Sequence, residues 1–309
     1  MPMQAILDAL GSWPSRAQES RRLFHGRGRC FPGLEFVTLD YFSPVLLLTL
    51  YETPPAPDWV DRVASAARPL APGVQALVVQ HRYQVGAPSQ VFWGDLPEPL
   101  YARRGRLCFH VHLARQQNAG FFLDMEPGRQ WLEQQAINKR VLNLFAYTCA
   151  FSVVALAAGA EKVVNVDMSS AALNLGRANH QLNNLDKRGA EFLAEDILKS
   201  WGRIKRRGPF DLVILDPPSY QKGSFIAQKD YAKLVRRLPE LMPAGGLVLA
   251  CLNAPELGDD FLKAVFAASC PEAKLLERLV PHTDFPDAQP ERQLKLLVYQ
   301  LPPGINEPE

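Results

Sequence analysis

The chain has 309 residues, a formal net charge of +2 and a composition that is 47% hydrophobic and 21% charged, the profile of a globular protein with room for one large or two modest domains. No apolar run nears the roughly 18 residues of a membrane span, and the start of the chain lacks the pattern of a secretory signal, so a cytoplasmic protein with no membrane partner is expected. Cys30, Cys108, Cys149, Cys251 and Cys270 are scattered, without a CxxC pair or a His/Cys cluster at metal spacing, which fits a reduced compartment, argues against structural zinc and leaves no metal expected.

Basic residues gather in three runs: Arg16, Arg21, Arg22, Arg27 and Arg29; Arg103, Arg104 and Arg106; and Lys199, Arg203, Lys205, Arg206 and Arg207. Any one of them reads as solvated surface; the three together are compatible with phosphate contacts to RNA. Residues 1–117 read as a smaller N-terminal α+β domain, the expected RNA contact. LEFVTLDYFSPVLLLTLY is a pair of β-rich runs broken at Ser43-Pro44, a hairpin signal. PDWVDRVASAARPL places Trp59, Val60, Val63 and Ala67 at helical spacing, and GVQALVVQHRY is a further strand. In RLCFHVHL, Leu107, Phe109, Val111 and Leu113 alternate with Cys108, His110 and His112. The two histidines share a face, but no third ligand is near.

From about residue 139, within a predicted second domain over 118–309, strands and helices alternate. KRVLNLFAY, KVVNVDMS, AEFLAED, PFDLVILDPP and GGLVLACLN are strands; CAFSVVALAAGA and SAALNLGRANHQLNNL are helices. AKLLERLV and RQLKLLVYQL have no helix between them and fit a closing hairpin. The pattern predicts an α/β, doubly wound, mostly parallel sheet of seven strands.

In such folds the ligand sits at the carboxyl ends of the first strands. The first strand-to-helix turn, Asn143-Leu-Phe-Ala-Tyr-Thr-Cys-Ala-Phe-Ser152, contains no glycine. A dinucleotide site needs a Gly-rich turn for close approach to pyrophosphate, so NAD and FAD are disfavoured, whereas S-adenosylmethionine (SAM) carries no phosphate. Asp167 at the end of the second strand suits the ribose hydroxyls, and Glu195-Asp196 after the third suits the adenine amino group; each acid also reads as a helix N-cap. Asn143, Phe145 and Tyr147 shape the turn, and Thr148 and Met168 count with the same cofactor site. The fourth strand ends in Asp216-Pro-Pro-Ser-Tyr220. Its prolines stop the strand and leave carbonyls as pure acceptors. Pro217 and Pro218 can take a nucleobase amino group while Tyr220 stacks on the ring, with Asp216 near the methionine end.

The runs NAGFFLDMEPGRQWL, NLFAYTCAFSVVA, VDMS, DPPSY and DFPDAQPERQLKLLVY, with ESRRLFHGRGRCFPGLEFVTLDYF upstream, resemble the bacterial ribosomal RNA large-subunit methyltransferases of the RlmI/RlmK type. The resemblance covers about residues 18 to 301. It implies a Rossmann-like class I methyltransferase fold, SAM as cofactor, and ribosomal RNA or a ribosomal precursor particle as partner. It further implies that Phe122, Asp124 and Arg129 cover the cofactor and that Asn253 lies near the substrate. The chain departs from the family where Thr-Gly becomes Ala119-Gly120, where Glu126 replaces an arginine, and where Cys149 replaces the glycine of the turn. The preceding RNA-binding PUA domain of many members is expected to be absent.

A 5-methylcytosine enzyme needs a cysteine thiolate to add at C6. By resemblance that nucleophile falls at Asn253, while Cys251 reads as a small buried strand residue. The expectation is therefore methylation of a 23S ribosomal RNA base at a purine nitrogen such as guanine N7. Methylation of a small molecule or a protein, and a catalytically silent RNA-binding assembly factor, stand as alternatives. A monomer and a homodimer are both compatible with the sequence.

Overall fold

The computed structural model describes residues 3–12, 18–114, 117–221 and 223–302; Arg16 and the end of the chain from 303 onward lie outside them. The chain divides into two compact units, Met1–Asp124 with His282–Pro290, and Met125–Pro281 with Glu291–Glu309. The sequence reading divides the chain at 117/118 and gives 282–290 to the second half. That segment is held by the first unit: Arg21 Nε donates to Asp284 at 3.0 Å, the Arg22 guanidinium lies 4.7 Å from the Phe285 ring centroid, and Ala288 N donates to Gly28 O at 2.7 Å. A Cβ on Gly28 would sit 1.7 Å from the Pro286 carbonyl oxygen, so the close approach requires glycine there.

The first unit contains α1 (Gln4–Gly11), β1 (Arg21–His25), β2 (Val37–Phe42), β3 (Val45–Leu50), α2 (Trp59–Leu70), β4 (Ala76–His81), β5 (Ser89–Gly94), β6 (Leu100–Arg104) and β7 (Leu107–Val111). β1 to β5 form one sheet in chain order, in which only β3 and β4 pair in parallel. The hairpin expected across Ser43-Pro44 is β2–β3. Leu39, Tyr41, Leu46, Leu48, Leu77 and Val79 bury with Ile6 and Leu10 of α1 and with Trp59, Val63 and Ala67 of α2. β7 shows the expected alternation, its 107, 109 and 111 positions buried, and pairs with β6 in a sheet of its own. α1, β1, β5 and β6 carry no clear periodic signal and escape the sequence reading.

The second unit contains α3 (Glu126–Gln135), β8 (Arg140–Leu144), α4 (Ala150–Ala157), β9 (Lys162–Asp167), α5 (Ser170–Leu182), β10 (Ala190–Ala194), α6 (Trp201–Lys205), β11 (Leu212–Leu215), β12 (Tyr220–Gln221), β13 (Phe225–Ile226), α7 (Ala227–Val235), α8 (Leu238–Leu241), β14 (Leu247–Leu252), α9 (Asp259–Ser269), β15 (Lys274–Arg278) and β16 (Lys295–Gln300). Its seven-stranded sheet runs β10-β9-β8-β11-β14-β16-β15. The first five strands are parallel. β16 is antiparallel to both β14 and β15, the closing hairpin expected. Alternate strand residues feed two cores, as strand geometry demands. Leu142, Val164, Val213, Val248 and Ala250 pack with Tyr231, Leu234, Leu262 and Phe266 on one face. Val141, Val163, Leu212, Ile214 and Leu249 pack with Trp131, Leu132, Phe151 and Ala155 on the other. The order reverses between β8 and β11, which places a crevice at the carboxyl ends of those strands.

Candidate functional site

The five residues between β8 and α4 form a strained turn. Phe145 (φ 59°), Tyr147 (φ 47°) and Cys149 (φ 61°) all take the left-handed region without being glycine, at roughly 1–2 kcal/mol each. Such a backbone persists only where its surroundings hold it. Here Tyr147 N donates to Asp167 Oδ2 at 2.8 Å, Ala146 N to Val166 O at 3.1 Å, and Asn179 Nδ2 to Thr148 O at 3.0 Å. The Phe145 ring meets Phe225 edge-on, 5.2 Å between centroids.

Beneath the turn runs a buried polar relay. Asn143 Nδ2 donates to Asn165 Oδ1 at 3.0 Å, Asn165 Nδ2 donates to Ser152 Oγ at 2.9 Å, and Ser152 Oγ lies 2.8 Å from His180 Nε2. His180 Nδ1 stands 2.7 Å from the Gly176 carbonyl, which can only accept. The imidazole proton therefore sits on Nδ1, Nε2 accepts from Ser152, and the relay closes with every direction defined. Burial pulls the His180 pKa below its ordinary value, keeping the ring neutral. Asn143 is thus a buried strut that links β8 to β9, 1% exposed. Asn143 and Asn165 are register partners in the adjacent strands VLNL and VVNV, and that repeated asparagine is the one signal by which the relay was visible in the sequence. Ser152, His180, Gly176 and Asn179 give no such sign.

Asp167 is half-buried and accepts one backbone N–H on each oxygen, the second from Ser169 at 2.8 Å. The N-cap of α5 is Ser169, whose hydroxyl accepts from Ala172 N, so Asp167 is not the helix cap. A carboxylate has about four acceptor positions, and a neutral diol such as a ribose fits the remainder. The glycine-free turn offers no cradle for a phosphate. Asp196 does cap: Oδ1 accepts from Leu198 N at 3.0 Å and Oδ2 pairs with Lys199 Nζ at 2.9 Å. Glu195 accepts from Ser200 Oγ at 3.0 Å and pairs with Arg203; these contacts, the serine first, lower its pKa. Met168 is exposed, its sulfur 3.1 Å from Ser224 Oγ.

At the end of β11, Pro217 is buried, Asp216 and Pro218 half-buried, and Tyr220 exposed at 65%. Tyr220 opens the ribbon β12–β13, and Ala227 N donates to Ser219 O at 3.0 Å to brace it. Below lies Tyr231, fully buried, its hydroxyl donating to the Cys251 carbonyl at 3.0 Å. Leu215 pairs with Ala250, so β11 and β14 deliver Asp216–Tyr220 and the exposed Asn253 to the same edge of the sheet. Cys251 is fully buried in the core, as are Cys149 and Cys270 to within 1%. Burial raises the thiol pKa of Cys149 and pushes that of Cys270 up to about 12.

Phe122 is exposed at 44%, and Asp124 lies in the short 3-10 turn Leu123–Met125 that leads into α3. Arg129 on α3 is 2% exposed and its Nε pairs with Glu126 at 3.0 Å; the glutamate that replaces the family's arginine is its ion-pair partner. Of the basic runs, Arg22 is bidentate on Asp40 at 2.7 and 2.9 Å, while Lys205 pairs with Glu240 and Arg207 with Glu191. Among the described residues no group of His, Cys, Asp and Glu can hold a metal, and no helix is long and apolar enough to cross a membrane.

Residues 21–300 match the S-adenosylmethionine-dependent methyltransferase family model. Proteins named ribosomal RNA large subunit methyltransferase I are similar to this chain: that of Aeromonas hydrophila subsp. hydrophila at 31% identity over 82% of this chain and 68% of its own length, and that of Tolumonas auensis at 33% over 69% and 56%. A solved structure from Streptococcus mutans, named for SAM-dependent methyl transfer, superposes with TM-score 0.84 at 25% identity, covering 97% of this chain and 82% of that one. A methyltransferase structure complexed with SAH gives the same figures.

Proposed function

The chain belongs to the S-adenosylmethionine-dependent methyltransferase family, and from that membership we propose that it methylates a base of 23S ribosomal RNA, at a purine nitrogen such as guanine N7 rather than at cytosine C5. The fold is the Rossmann-like class I methyltransferase fold and the cofactor is SAM. The RNA substrate rests on the names of the relatives. The choice of atom rests on one observation: all three cysteines of the second unit, Cys149, Cys251 and Cys270, are buried. Attack at C5 needs a thiolate that reaches C6 of the base, and this unit presents none. Guanine N7 has a lone pair of its own and requires alignment and exclusion of water rather than covalent activation.

SAM supplies an electrophilic methyl carbon on a sulfonium. Asp167, with acceptor positions to spare, holds the ribose hydroxyls, and the turn of Phe145, Tyr147 and Thr148, stiffened by Asn143 and the relay, shapes the wall beside it. Met168 covers that wall and Asp196 faces the adenine side. Arg129 is held within α3 by its ion pair with Glu126. Asp216 lies toward the reacting end. The carbonyls of Pro217 and Pro218 accept from the target base, Tyr220 stacks on it, and Asn253 orients its edge. The basic surface of the first unit supplies phosphate contacts, and the protein acts in the cytoplasm.

The test compares methylated nucleosides of ribosomal RNA, by mass spectrometry, from cells with and without the gene, and with Asp216→Ala restored. Loss of a methylated purine that wild type restores and the variant does not supports the reading. Loss of 5-methylcytosine would overturn the atom, and an unchanged nucleoside profile would overturn the RNA substrate.

A further inference from the structure

Lys295, the first residue of β16, is 0% exposed. It pairs in register with Leu252, the last residue of β14, and shares a sheet face with Leu297 and Tyr299 in the core beside α9. Its ammonium donates to the Ala254 carbonyl at 2.7 Å. A buried ammonium is costly, and an apolar side chain of similar length is usually as good for stability. Burial pulls the Lys295 pKa below the usual lysine value, against the attraction of Asp259. The surroundings are polar but incompletely satisfied: Asp259 pairs with Arg278 through Oδ2 at 3.2 Å, while Asp259 Oδ1 and the Tyr299 hydroxyl are buried without a hydrogen-bond partner. Where β14 leaves the sheet, Asn253 and Ala254 lose the ladder, and Lys295 reaches from the neighbouring strand to the Ala254 carbonyl, which also closes the following turn by accepting from Leu257 N at 3.1 Å.

We propose that Lys295 is a positioning residue: by anchoring Ala254 it fixes the exposed Asn253 at the edge shared with Asp216–Tyr220, and so sets the alignment of the target base for methyl transfer. The role of Asn253 rests on the proposed function above. The anchoring itself does not. Lys295 touches no substrate and acts through the backbone on one side of Asn253, while the Leu252–Lys295 strand pairing holds the other.

Two measurements on the full chain test this. The first follows amide hydrogen exchange of residues 253–258 in wild type, Lys295→Met and Lys295→Arg. Exchange is expected to accelerate at least about tenfold in Lys295→Met, with the β14 core unchanged and protection largely restored in Lys295→Arg. Equal exchange in wild type and Lys295→Met would overturn the proposal whatever the substrate is. The second measures single-turnover methyl transfer to 23S ribosomal RNA in a double-mutant cycle with Asn253→Ala. Lys295→Met alone is expected to slow transfer about ten- to hundredfold, the scale of a misplaced reacting group, with SAM affinity within twofold. On the Asn253→Ala background it is expected to add nothing, whereas full additivity would show that Lys295 does not act through Asn253. If Lys295→Met fails to fold, Lys295→Gln, polar but one bond too short to reach the Ala254 carbonyl, takes its place in both measurements. If wild type transfers nothing to ribosomal RNA, the substrate reading fails and the exchange experiment still decides the anchoring.

Discussion

The sulfur of Cys149 occupies the place that a side chain at position 176 would need: a Cβ built on Gly176 lies 2.5 Å from Cys149 Sγ and 3.1 Å from its Cβ. Cys149 stands in the left-handed region at the N-terminus of α4, and the bare backbone of α5 at Gly176 is what gives its side chain room. The two positions are one packing unit across the turn between β8 and α4.

Gly176→Ala is therefore expected to destabilise the protein by about 1–3 kcal/mol through overpacking, and Cys149→Gly to relieve it. In thermal denaturation, the double variant Cys149→Gly/Gly176→Ala should melt above Gly176→Ala alone. Additive shifts would mean that the two positions do not share the space.

Asp167→Asn removes one of two charged acceptors and sets an amide N–H₂ against a backbone N–H. A hydrogen bond to a charged group is worth about 1.5–3 kcal/mol, and here it holds the left-handed Tyr147 in place. SAH titrated calorimetrically should bind at least about tenfold more weakly to the variant, by the usual conversion of 1.4 kcal/mol per decade. Unchanged affinity would remove Asp167 from the cofactor site.

Tyr220 is exposed at 65%, so Tyr220→Ala should leave stability within about 0.5 kcal/mol of wild type and SAM affinity unaltered. Loss of base stacking should weaken productive RNA binding by about 1–3 kcal/mol, and Tyr220→Phe should restore it, since the ring provides the stacking face. Methylation kinetics at varied RNA concentration would show this as a rise in KM. A variant that loses SAM binding instead would place Tyr220 on the cofactor.

Acid should destabilise the protein through two histidines, the half-buried His25 and the buried His180. His25 is lowered to about 3 by burial first, then by Arg22 and Arg27, and its Nδ1 accepts from Arg22 Nη1 at 2.9 Å. Its folded pKa lies below the unfolded value of about 6.5, so between those values the unfolded chain binds more protons. The contribution is complete above about pH 6.5 and is lost as pH falls toward 3, with a slope of at most about 1.4 kcal/mol per unit. His180 acts with the same sign. Urea midpoints measured from pH 7.5 to 4 should fall less for His25→Gln than for wild type; parallel curves would show that His25 does not titrate on unfolding.

The sequence by itself determined the sheet. Strand and helix periods in VLNLF, VVNVD, LVILD and LVLAC were legible because burial on both faces forces continuous apolar runs, and strand-end punctuation at Asp167 and Asp216-Pro-Pro marked the crevice. The absence of glycine from the first turn already pointed to a cofactor without phosphate. What only the tertiary structure decided are the relations between residues distant in the chain. It distinguished the two acids, since Ser169 rather than Asp167 caps α5 while Asp196 does cap its own turn. It joined Asn143, Asn165, Ser152 and His180 into one relay, matched Cys149 to Gly176, and assigned His282–Pro290, which lies between the last two strands, to the first unit. It also turned Lys295 inward. The strand RQLKLLVYQL is legible but the place of its lysine is not, because periodicity records which face a side chain takes and not whether a carbonyl waits there. Hydrogen-bond direction and close packing depend on distances of a few tenths of an ångström between separate segments, and no local pattern of residues encodes them.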